Sequence, residues 1–95
     1  MIAIGLIELL KRNEYGVAKF VRVGAEYRFC GIYGDHSKLV NDGEFAASAG
    51  FVRYDLSGNI VAVMNQESMS LNLGPLPDDE PAIQELFSKC LRDMK

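Results

Sequence analysis

The side chains able to do chemistry near neutral pH are few, and His36 comes first among them. It is the sole histidine in the chain, and histidine is the residue whose ordinary pKa lies closest to neutrality. It follows a strand-like run, stands near Gly34 and opens a helix-like segment. A neutral imidazole so placed can serve as base or nucleophile; the alternative is a loop histidine bonded to backbone. Lys19 interrupts a strand side otherwise lined by Val17, Val21 and Val23. Its ammonium must emerge near an edge or pair with an anion, because isolated burial is costly. Arg53 lies in an apolar strand, where its planar donor fork suits a phosphate, or where it is simply an exposed position partnered by Asp55. The connection Gln66-Glu67-Ser68-Met69-Ser70 offers hydroxyls and backbone N–H groups that could hold an oxyanion if the turn forms a nest. Serine-rich turns are also frequent without any ligand.

Other chemistries are disfavoured. No metal-ligand constellation is present, and the glycines form neither a P-loop nor a dinucleotide fingerprint, so no metal and no cofactor is expected. Asp78-Asp79 reads as helix-start charge rather than as a glycosidase pair. Tyr15, Tyr27, Tyr33 and Tyr54 read as sheet packing rather than as a stacking platform for bases. Thirteen acidic against ten basic residues give a net charge of −3. The largest basic cluster is Lys11-Arg12, so neither nucleic acid nor an anionic membrane is an expected partner. The apolar run Met1 to Leu10 is too short to span a bilayer and lacks the features of a signal peptide, which makes a cytoplasmic protein the expectation. Cys30 and Cys90 sit in apolar settings and read as free buried thiols in preference to a disulfide or a reactive pair.

These residues must be positioned by one domain spanning 1–95, because 95 residues support one modest core. The strongest structural signal is the stretch 50–75. An apolar run, the turn-forming Asp55-Leu56-Ser57-Gly58-Asn59 and the run Ile60 to Asn65 predict a hairpin. The alternation of Met69, Leu71 and Leu73 with Ser68, Ser70 and Asn72 predicts a further extended segment. Upstream, residues 2–10 read as a strand from their β-branched start, although Ile2, Leu6, Leu9 and Leu10 also line a helix. A polar turn at Arg12-Asn13-Glu14 follows. Residues 15–23 and 26–33 read as a hairpin joined near Gly24-Ala25. Asp35 caps a short helix over 35–40, Asn41-Asp42-Gly43 ends it, and residues 45–54 form the next strand. After the rigid connector Gly74-Pro75-Leu76-Pro77, the acids 78–80 and Pro81 open a helix. In it Ala82, Ile83, Leu86, Phe87, Cys90, Leu91 and Met94 recur at helical spacing. The expected fold class is α+β: an antiparallel or mixed sheet with one short inserted helix and a C-terminal amphipathic helix packed on it.

The order of these features resembles the Janus/Ocnus group of small phosphohistidine phosphatases. Gly16-Val17-Ala18-Lys19-Phe20-Val21 is similar to that family's early strand with its phosphate-binding lysine. Tyr33-Gly34-Asp35-His36-Ser37-Lys38 resembles the segment where its catalytic histidine precedes a helix. Ala49-Gly50-Phe51-Val52 with the Ser57-Gly58 turn resembles its glycine-rich strand and hairpin, and Glu67-Ser68-Met69 with Gly74-Pro75 its phosphate loop. The family's arginine falls near Val52 here, so Arg53 is displaced by one residue and would face the other side of a strand. The connection before His36 is also shorter than in the family. The resemblance implies metal-independent hydrolysis of a phosphoramidate. In that scheme His36 acts as base or nucleophile, Lys19 neutralises phosphoryl oxygens, and Ser68 with the N–H groups of Ser68, Met69 and Ser70 holds them. A phosphorylated protein is the partner it implies.

The competing expectation is a small non-catalytic binding or regulatory module acting through a sheet edge or the C-terminal helix. A homodimer fits either reading, because sheet edges need cover. Convergence of His36, Lys19 and Ser68 in one cleft favours the enzyme, whereas dispersal with an exposed apolar patch favours protein binding.

Overall fold

The computed structural model describes residues 2–12, 16–55 and 60–94. In chain order they form β1 (Ile2–Ile4), α1 (Leu6–Arg12), β2 (Val17–Val23), β3 (Glu26–Gly31), a 3-10 turn (His36–Leu39), β4 (Ser48–Asp55), β5 (Ile60–Val63) and α2 (Asp79–Asp93). The strands make one sheet in the order β1-β3-β2-β4-β5, with β1 parallel to β3 and every other pairing antiparallel. The α+β class, the short inserted helix and the C-terminal helix across the sheet are as the sequence predicts.

The sheet is covered on both sides. On one face Ala18, Phe20, Tyr27, Phe29, Val52 and Tyr54 form the core with Leu6, Leu9 and Leu10 of α1 and Ile83, Leu86, Phe87 and Cys90 of α2. Phe87 lies at the centre, edge-on to Phe29 at 5.8 Å and tilted against Tyr54 at 5.4 Å. Full burial of side chains of this size stabilises the fold by roughly 1.5–3 kcal/mol each. On the other face the crossover between β3 and β4 lies over Val21 and Ala49, both fully buried. Arg28 holds that crossover, donating to the Leu39 carbonyl at 2.8 Å and to both carboxylate oxygens of Glu44 at 2.6 and 2.8 Å. The guanidinium draws the Glu44 carboxyl down to about 2.

Several local expectations are corrected. Residues 2–10 do not form one strand: β1 stops at Ile4 and Gly5 turns the chain at φ +81°. A Cβ there would stand 2.6 Å from the Phe29 carbonyl oxygen, so only glycine permits this approach. The helix that follows then buries Leu6, Leu9 and Leu10 together. Residues 68–73 are a tight turn rather than an extended segment, closed by paired backbone bonds between Ser68 and Leu73, with Asn72 at φ 54°. The alternation inverts there, since Met69 is 95% exposed and Ser68 is buried. β3 ends at Gly31, and Tyr33, in the turn beyond it, is exposed instead of packed in the sheet. β4 begins at Ser48, later than residue 45, and β5 ends at Val63, before Asn65. The turns expected at 13–14 and 56–59 and the packing of Tyr15 lie outside the described residues. The strands flanking the second turn pair as a hairpin should, Asp55 with Ile60.

One polar contact inside the core was not foreseen. Asp79, in the first turn of α2, is fully buried. It accepts from the Tyr27 hydroxyl at 2.6 Å and from the Leu76 amide at 2.7 Å, with Arg22 3.7 Å away. Burial and the neighbouring carboxylate push the Tyr27 phenol far above its usual range, so it remains a donor. Tyr27→Phe leaves one carboxyl oxygen without that donor, and we expect a loss of about 1–3 kcal/mol, read as a lower urea midpoint at unchanged slope.

Candidate functional site

On the face opposite α2 the sheet and the crossover bring polar side chains together. Lys19 points from β2 to this face because Ala18 and Phe20 face the core. Its Nζ donates to the Gly34 carbonyl at 2.6 Å and lies 5.8 Å from the centre of the Phe51 ring. Asp35 caps the 3-10 turn by accepting from the Ser37 amide at 3.0 Å. Bonds from Ser37 and then Ser70, with the charge of Lys19, hold its carboxyl below the ordinary range. His36 follows, edge-on to Phe51 at 5.0 Å and only 3% exposed.

The ring nitrogen Nε2 of His36 lies 2.7 Å from the Gly50 carbonyl oxygen. A carbonyl only accepts, so Nε2 carries the proton and Nδ1 the lone pair. Burial lowers the imidazole pKa first, with Lys19 adding to it, while the Gly50 bond and Asp35 act in the opposite sense. The ring is therefore the neutral tautomer at pH 7. Cys30 borders this cluster: a Cβ on Gly34 would stand 2.8 Å from its Sγ. Both cysteines are free thiols; Cys90 is buried as expected, whereas Cys30 is only partly so, and burial raises each above its ordinary value.

The residues singled out from sequence are thus partly gathered. Lys19, His36 and, through Asp35, Ser70 share one neighbourhood. Ser68 joins it through its hydroxyl, 3.4 Å from that of Ser70 and 3.4 Å from the Leu71 amide. Met69 points away into solvent. Arg53 is on the same sheet face but paired with Val17, one step along β4 from Phe51, and exposed. Asp35 and the Gly50 carbonyl are the partners that sequence did not name for this cluster. A cap motif advertises Asp35, but nothing in the sequence announces a carbonyl. Among the described residues no group of His, Cys, Asp and Glu could hold a metal ion, and no helix is long and apolar enough to cross a membrane.

A cavity of about 420 Å³ adjoins this cluster at Cys30 and Gly34, between α1, the end of β3 with the turn after it, and the ends of β2 and β4. None of the candidate residues above lines it. Comparison with known proteins adds no neighbour: no family model, no curated protein and no solved structure matches the chain. The Janus/Ocnus resemblance is carried by the quoted residues alone.

Because folding lowers the His36 pKa, the unfolded chain binds that proton more readily. The contribution of the neutral ring to stability is complete above the ordinary value of 6.5 and declines as pH falls through it. Urea titrations between pH 7.5 and 5 should show this fall in the wild type. In His36→Gln, whose amide can still donate to Gly50, the slope should be smaller.

Proposed function

We propose that this domain is a non-catalytic protein-interaction module working through the β1 edge of its sheet, and that a second copy of the chain occupies that edge. The observation that carries this reading is the asymmetry of the two sheet edges. On β5 the outward backbone groups are taken by α2: Gln84 donates to the Val61 carbonyl at 3.0 Å and the Val63 amide donates to Glu80 at 3.1 Å. Among the described residues β1 has β3 as its strand neighbour on one side and none on the other, and Ile2, Ile4 and, on α1, Ile7 are exposed. Open edges of this kind accept an added strand. The pairing is self-complementary. Alternation along a parallel ladder turns the N–H and C=O of Ala3 outward. Antiparallel pairing of two copies about Ala3 then sets Ile2 of each against Ile4 of the other.

The polar cluster supports the non-catalytic half of the proposal. Nε2 of His36 is held by the Gly50 carbonyl and Nζ of Lys19 by the Gly34 carbonyl, and Asp35 already supplies a counter-charge to the lysine that a phosphoryl group would need. These groups answer one another and fasten the crossover to the sheet. The two free thiols fit a reducing compartment, the cytoplasm. The α2 helix is a poorer docking surface, since its apolar face is already against the sheet.

Sedimentation of the wild type should show a concentration-dependent dimer, and Ile4→Lys should be monomeric with an unchanged circular dichroism spectrum. A wild type that stays monomeric at every concentration overturns the edge reading. A second reading, phosphohistidine hydrolysis, is favoured by the gathering of Lys19, His36 and Ser70. We expect no phosphate release from a phosphohistidine peptide. Release that disappears in His36→Ala would replace the present proposal with that one.

A further inference from the structure

The cavity beside α1 has a composition of its own. Leu9, Phe29 and Tyr54 give it an apolar, partly aromatic interior, and all three are at least nine-tenths buried. Behind them Phe87 packs on both rings, so this wall is fixed by the core and does not collapse inward. Burial holds the Tyr54 phenol above its usual range, so the interior carries no charge from that residue. At the rim stand Glu8 and Arg12, both exposed and one helical turn apart on α1. The spacing i, i+4 puts both on the face that looks over the cavity. A volume of about 420 Å³ falls within the roughly 300–1,000 Å³ range of small-molecule sites.

We infer that this cavity binds a small aromatic zwitterion, of the α-amino-acid class, with its ring among Leu9, Phe29 and Tyr54 and its two charged groups at Glu8 and Arg12. The reasoning is one of matching. A purely apolar guest would cover Glu8 and Arg12 while leaving them only each other, one helical turn apart, in place of water. A simple carboxylate would pair with Arg12 but meet Glu8, and a simple amine would do the reverse. A guest carrying an ammonium and a carboxylate on adjacent atoms answers both. Its ring packs against the side chains of Leu9, Phe29 and Tyr54. The charged pair at the rim is solvent-screened, so it supplies selection among guests more than affinity.

The structure also supplies a way to close the site. Gly31 lines the cavity, its φ is not in the left-handed region, and a Cβ added there meets nothing within 4 Å. Being on the Phe29 side of β3, a leucine at this position starts from an unobstructed Cβ on the cavity side of the strand.

The test is an amide-resolved NMR titration with three probes: L-phenylalanine, 3-phenylpropionate and 2-phenylethylamine. L-Phenylalanine should shift the amides of Leu9, Gly31 and Gly34 in a saturable way. Each singly charged analogue should bind roughly two- to fivefold more weakly, as expected for exposed charge pairs. Gly31→Leu should abolish the shifts while keeping a folded spectrum. Arg12→Gln should bring L-phenylalanine down to the level of the amine, and Glu8→Gln to the level of the carboxylate. These two exposed variants keep the test decisive if Gly31→Leu misfolds. The inference is overturned if no probe shifts cavity amides at millimolar concentration. Shifts that survive in a folded Gly31→Leu, or a singly charged analogue binding as well as L-phenylalanine, overturn it equally.

Discussion

A buried carboxyl group holds this fold in register. Asp79 lies in the first turn of α2, fully enclosed, with the Tyr27 hydroxyl on one oxygen and the Leu76 amide on the other. Hydrophobic burial would hold α2 on the sheet in many nearly equivalent positions, because apolar contact is non-directional. The carboxyl is directional. An unpaired polar group in such a place is expensive, so sliding or rotating the helix by even part of a turn would expose that cost. The same contact fixes the connector before α2 through Leu76, and the adjoining Asp78 reaches Arg22 on β2 at 2.9 Å. Helix, connector and central strands are thereby indexed to one another.

The opposite face follows the same logic with a different centre. Arg28 and Glu44 fasten one end of the β3–β4 crossover, and Lys19, Asp35 and His36 fasten the other. In each case a polar side chain bonds mainly to a backbone carbonyl or a capping acid. Both α-helices pack on the core face of the sheet. The second face is covered with irregular backbone, whose unpaired carbonyls then need donors. Lysine, arginine and neutral histidine are those donors here.

Much of this was legible in the sequence. The β2–β3 hairpin at Gly24, the Asp35 cap, the Gly74-Pro75 connector and the apolar stripe of α2 rest on local rules, and local rules are written in neighbouring residues. The misreadings share a cause. Residues 2–10 carry apolar side chains compatible with either period, and the choice was made by Gly5 against Phe29, twenty-four positions away. Residues 68–73 alternate like a strand, yet Asn72 tolerates a left-handed backbone and the segment closes on itself. The candidate site was legible as residue types but not as geometry. That His36 would face a carbonyl, that Ser70 would turn toward Asp35, and that Glu8 and Arg12 would overlook a cavity all depend on strand order. Strand order is a tertiary outcome.

The closure of β5 by Glu80 and Gln84 bears on how the chain is made. Since α2 follows all five strands, a ribosome releases the whole sheet before the helix that shields it. Until then the apolar face has only α1 upon it and the β5 edge is bare, and an emerging chain in that state is prone to strand-to-strand association with its neighbours. A stop codon before residue 79 would make that state permanent. The helix is thus a late-arriving guard as well as half of the core, and chaperone dependence during synthesis should be concentrated in the interval before it appears.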